Sequence, residues 1–176
     1  MNYRTLLQLA GHSFDHRPIA LGRPFTPQLF ARGARWMQQQ LQALDPATSP
    51  AVDPGIPFTA WGLLKYGSCS VIAGAAGYGL WLLHPALTPL AVLVFYSCEI
   101  HFLFLFPLLL DGRPDPLRAS IRSTYKVGPL RALLTVLPIA GYMLLGLLRL
   151  RQPLRQWHIG CLAILIWYQD EIRNRF

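Results

Sequence analysis

Leu90–Leu110 reads LAVLVFYSCEIHFLFLFPLLL, and this stretch decides the fold class. It is about 21 residues long, the length at which an α-helix crosses the hydrocarbon of a bilayer. Near its middle stand Glu99 and His101. A carboxylate at that depth costs roughly 2.5–3.5 kcal/mol on insertion scales. A leucine there would cost nothing, so the segment points to a membrane protein that keeps a polar group for use.

The composition agrees. Hydrophobic residues make up 53% of the chain and charged ones 14%, with a mean hydropathy of +0.33, whereas soluble domains carry about 25% charged residues. The 16 basic residues outnumber the 8 acidic ones. They flank apolar segments, which fits topology signals and lipid headgroups, and no DNA- or RNA-binding signature accompanies them. Cys69, Cys98 and Cys161 are odd in number and all lie in apolar runs. They read as buried apolar residues and not as a disulfide framework.

Working outward from Leu90–Leu110, the turn HPALTP at 84–89 joins it to an earlier apolar run, Trp61–Leu83. The two are expected to form an antiparallel hairpin. Lys65, near the start of the first run, is expected to snorkel outward. Ser70 with Gly74, and Ala73 with Gly77, form small-xxx-small pairs that let helix backbones approach closely in lipid. They mark the first span as a docking helix. A third span is expected at Leu130–Leu148, kinked at Pro138, whose ring frees a carbonyl near Leu134. A fourth has a strictly apolar core of only Trp157–Tyr168, and crosses only if extended to Leu154–Ile172.

The region before the hairpin is read as cytosolic. Residues 1–24 are expected to be irregular, broken by Pro18 and Pro24, and His12, Asp15 and His16 there read as a solvated loop. A helix over about 27–44, opened by Thr26 or Pro27, places Phe30, Ala34, Met37, Leu41 and Leu44 on one face and Arg32 and Arg35 on the other. Its Trp36 and arginines suit a membrane surface as well as they suit a protein contact. Four prolines make 45–58 a linker. The expected architecture is therefore all-α. A cytosolic region, 1–58, precedes a polytopic bundle of about four transmembrane helices, 59–176. Of the Lys and Arg residues, 13 fall on one side of this topology and 3 (Arg149, Arg151, Arg155) on the other, which sets the N-terminus, and with four spans the C-terminus, in the cytoplasm.

Glu99 and His101 are the candidate catalytic residues. At about 100° per residue they face opposite sides of a continuous helix, so they form no dyad. Buried without a cation, Glu99 is expected to be protonated and to donate to a carbonyl such as the one freed by Pro138. Cys98 with His101, and His158 with Cys161, are each three residues apart, which offers a tetrahedral metal site as an alternative. The sequence assigns no cofactor. Arg118, Arg122 and Lys126, with Tyr125, form a basic stripe suited to phosphate headgroups or a nucleotide-linked substrate. Asp170 and Glu171 form an acidic pair at the membrane edge, expected to pair with the basic residues of 118–131.

Two functions compete. A scaffold or accessory subunit of a larger membrane complex, docked to a protein partner or a second copy through the first span, fits the glycines and the lack of a recognised catalytic constellation. A small membrane enzyme acting on an isoprenoid, pigment or lipid fits Glu99, His101 and the aromatic run Phe95–Phe106. A proton-coupled transporter would need a dimer, since four spans are few and no repeat is visible. The scaffold reading is preferred.

Overall fold

The computed structural model describes residues 2–16, 29–46, 52–148 and 153–173. The expected helix start at Thr26–Pro27, the breaks at Pro18 and Pro24, and the charges Arg17, Arg23, Arg149, Arg151 and Arg175 lie outside these residues. Within them every regular element is helical, with no strand.

The N-terminal stretch is not irregular. Tyr3–His16 forms helix α1, because Leu6, Ala10 and Phe14 recur every four residues and bury one seam. Helix α2, Leu29–Leu44, buries Ala34, Gln38, Gln40 and Leu41. Helix α3 runs Phe58–Leu83 and ends against a 3-10 segment, Pro85–Leu90. Helix α4 covers Ala91–Glu99, a second 3-10 turn covers Ile100–Phe102, and α5 covers Leu105–Leu110. Helices α6 (Pro116–Val127) and α7 (Pro129–Leu147) meet at Gly128. Its φ of 97° turns the chain between them in a conformation where a Cβ would be strained. Helix α8, Pro153–Glu171, closes the chain.

The main core forms around α8. Ile159, Leu162, Trp167 and Tyr168 pack with Leu6, Ala10 and Phe14 of α1, Leu41 of α2, and Val136 and Ile139 of α7. Asp15 pairs with Arg155 at the start of α8, whereas Asp45, just past α2, pairs with Arg173, just past the end of α8. So α1 runs antiparallel to α8 and α2 parallel to it. Trp36 sets its ring edge-on to His158, with centroids 5.1 Å apart. The apolar face of α2 therefore meets protein, and its Arg32 and Arg35 face outward. Two glycines, Gly146 and Gly160, let α7 and α8 approach closely. A Cβ on Gly146 would fall 2.3 Å from the Gln156 side chain, and one on Gly160 would fall 2.3 Å from Met143.

Among the described residues two helical stretches are long and apolar enough to cross a membrane, Pro85–Leu110 and Pro129–Leu147. The expected four spans are thus reduced to two by this measure. The fourth segment, α8, is enclosed by α1, α2 and α7. The first, α3, is long but diluted by glycine, serine and tyrosine. It packs antiparallel on α4, and Gly77 brings the two within reach, since a Cβ there would sit 3.1 Å from that of Ala91. This hairpin is the least buried part of the fold. No residue of α4 or of the Pro85–Leu90 turn is buried, and Val71, Tyr78, Leu82 and Leu83 of α3 stand well exposed.

Candidate functional site

The expected continuous rod from Leu90 to Leu110 is broken after Glu99. Pro107 has no N–H for the Leu103 carbonyl and its ring crowds that position. The chain tightens into the Ile100–Phe102 turn before resuming as α5. Helix α6 satisfies the carbonyls this exposes. Thr124 Oγ1 donates to the Ile100 carbonyl (2.6 Å), and Ser120 Oγ donates to that of His101 (2.8 Å). Ser120, Ser123 and Thr124 are the buried face of α6. An unpaired buried carbonyl costs about 1–3 kcal/mol, so these hydroxyls explain how the break persists in an apolar setting.

Glu99 ends α4 at this break. Lys65 Nζ of α3 lies 2.9 Å from its Oε1, with the two side chains 7% and 13% exposed. Two expectations are corrected here. Lys65 does not snorkel outward, and Glu99 is not left to seek the carbonyl freed by Pro138. The antiparallel packing that sets Gly77 on Ala91 brings Lys65, one turn from the position opposite Glu99, within reach of it through its long side chain. The ammonium is further covered by the Tyr66 ring, 5.1 Å from its centroid, and by that of Phe106 at 6.0 Å. Phe106 stacks on Phe30 of α2, which in turn lies over Gly62, where a Cβ would fall 2.4 Å from the ring. The base of the hairpin is thus a small aromatic box around one ion pair. At 1.5 Å per residue the pair lies about 27 Å from the tip of α3 at Leu83.

His101 turns the other way, as a helical step of two requires. Its ring meets Tyr125 of α6 at 5.9 Å, and its Nδ1 lies 3.3 Å from the Cys98 carbonyl. His158 instead meets Phe14 and Trp36, and its Nδ1 lies 2.8 Å from the Leu154 carbonyl. The metal set Cys98, His101, His158 and Cys161 therefore does not converge, because the two imidazoles face different helices. No group of three potential ligands gathers among the described residues. All three cysteines are free thiols.

Of the docking residues, Ala73 is half-buried and Gly77 buried, facing α4, whereas Ser70 and Gly74 are exposed. Nothing lies within 4 Å of a Cβ built on Gly74. The two small-residue pairs thus lie on different faces, one used within the chain and one left open.

Asp170 and Glu171 part company. Glu171 is buried and takes Arg131 in a two-point contact, at 2.5 and 3.4 Å, while Asp170 faces outward. Burial opposes ionisation of the Glu171 carboxyl, but the Arg131 hydrogen bonds and neighbouring positive charge outweigh it and hold the group below the usual carboxylate range. The expected pairing with the 118–131 basics is realised through Arg131. Beside it Asp111 accepts from the Tyr168 hydroxyl (2.6 Å) and pairs with Arg173 (3.1 Å), which also reaches Asp45. These contacts tie the ends of α2, α5, α7 and α8 at one pole. Arg118, Arg122, Tyr125 and Lys126 lie on the exposed face of α6.

Comparison with protein-family models, curated proteins and solved structures gives no match, so the functional reading rests on the chain itself.

Proposed function

We propose that this protein is an integral membrane scaffold or accessory subunit, anchored by the α3–α4 hairpin and α7, with its N-terminus cytoplasmic. One observation carries the reading: the outer side of the hairpin is apolar along its length and partnerless in the single chain, whereas the groups with catalytic potential are engaged. Glu99 holds Lys65, His101 lies against Tyr125, and Glu171 holds Arg131. The hairpin spans about 27 Å between its tip and the ion pair, close to the hydrocarbon thickness of about 30 Å. Tyr78 and Trp81 stack near the tip, where interfacial aromatics belong. A bilayer covering this length sets Lys65 and Glu99 near its far boundary, where two charges are tolerated more easily than at the midplane. The open Ser70–Gly74 strip is then the docking face for a partner helix. Gly74→Leu, which meets nothing inside the chain, is expected to abolish co-purification of a partner chain while leaving the fold intact. Unchanged co-purification would count against the reading.

The enzyme reading has one observation in its favour: a lysine and a carboxylate held together under aromatic rings at the base of the hairpin. It expects Glu99→Gln or His101→Ala to abolish turnover of a lipid-soluble substrate in a protein that still inserts. Two active variants would end it.

A further inference from the structure

Helix α6 has two faces of opposite chemistry. At 100° per residue, Arg118, Arg122, Tyr125 and Lys126 fall within roughly 100° of arc, with Ser120, Ser123 and Thr124 opposite. The hydroxyl side is buried on the helix break. The basic side is open, with Tyr125 61% exposed. Among the described residues no carboxylate lies within ion-pair distance of Arg118 or Arg122. The helix also lies directly between the two stretches able to cross a membrane, Pro85–Leu110 before it and Pro129–Leu147 after it. Its hydrogen bonds to the Ile100 and His101 carbonyls set it beside the break, next to Glu99.

We propose that the open face of α6 binds the phosphates of anionic phospholipids. The inference rests on the membrane reading above, which puts α6 in the headgroup layer. Planar guanidiniums four residues apart present paired donors to phosphate oxygens, and Tyr125 on the same face has an apolar ring and a polar tip suited to the same depth. Because Thr124 and Ser120 fix α6 to the break, the cationic face is held in place and pays little to order itself.

The test uses the full chain purified in mild detergent and titrated with phosphatidylglycerol or phosphatidylcholine, with bound lipid counted by native mass spectrometry. Phosphatidylglycerol is expected to be retained in preference, and Arg118→Gln and Arg122→Gln each to weaken it about fivefold. Both side chains are exposed, so the melting temperature should be unchanged. Equal retention of the two lipids, or full retention by the double variant, overturns the proposal. So does displacement of the lipid by inorganic phosphate, or by a single-stranded oligonucleotide, which would assign the face to a different anion. Alkaline carbonate extraction separates the two readings. If carbonate strips the protein from membranes, the integral reading fails, and flotation with phosphatidylglycerol vesicles decides the α6 proposal: flotation lost in the double variant supports it, and no flotation overturns it.

Discussion

Lys65 and Glu99 meet at 2.9 Å across the base of the α3–α4 hairpin, each shielded from solvent. The pair joins two helices that otherwise touch through small and apolar groups. Removing one charge strands the other, at a cost of about 3–5 kcal/mol, whereas removing both is often neutral or stabilising. Glu99→Gln and Lys65→Met are each expected to lower stability in detergent by that order, and Lys65→Met/Glu99→Leu to recover most of it. Additive losses in the double variant would show that the contact is incidental.

The break after Glu99 depends on α6. Thr124→Val keeps the shape and removes the hydroxyl, leaving the Ile100 carbonyl with only the longer Leu103 N–H contact of 3.3 Å. A loss of about 1–3 kcal/mol is expected, with faster hydrogen exchange at residues 100–104. A neutral substitution would mean that the turn is held by Pro107 alone.

Gly77 and Gly74 are one helical turn apart and should behave differently. Gly77→Leu forces a side chain onto Ala91, so it should destabilise the hairpin in the isolated protein, by about 1–3 kcal/mol as overpacking does. Gly74→Leu should leave stability unchanged and affect only docking. Equal effects on stability would place α3 in a different rotation from the one described.

Glu171 makes stability pH-dependent. Its carboxyl titrates below the usual range in the folded chain, so the ionised form favours folding. That contribution is complete above the unfolded value, about 4.3 for glutamate, and is lost as pH falls through the lower folded value. Melting temperatures taken from neutral to acid pH should fall more steeply for the wild type than for Glu171→Gln. Parallel curves would remove Arg131–Glu171 as a determinant.

How much of this was legible in the residues differs by element. The α2 register, the α6 stripe and the 84–89 reversal follow from local periodicity and proline placement, and were readable. Helix α1 is hard to read locally, because Pro18 and the polar Gly11–His12 step mask the short Leu6, Ala10, Phe14 seam. The apolar length of the fourth segment is that of a marginal span, but what encloses it is not encoded locally. A hydropathy count sees composition, and cannot tell a helix wrapped by α1, α2 and α7 from one wrapped by lipid.

The sequence by itself determined that the chain is helical, that an acidic group sits in an apolar segment, and that basic residues cluster between two such segments. These depend on spacing and side-chain chemistry, which are local. Only the tertiary structure decided that Lys65 answers Glu99, that His101 and His158 face apart, and that Gly77 is used while Gly74 is open. Each of these depends on the relative rotation and register of helices distant in sequence, which packing fixes and local pattern does not.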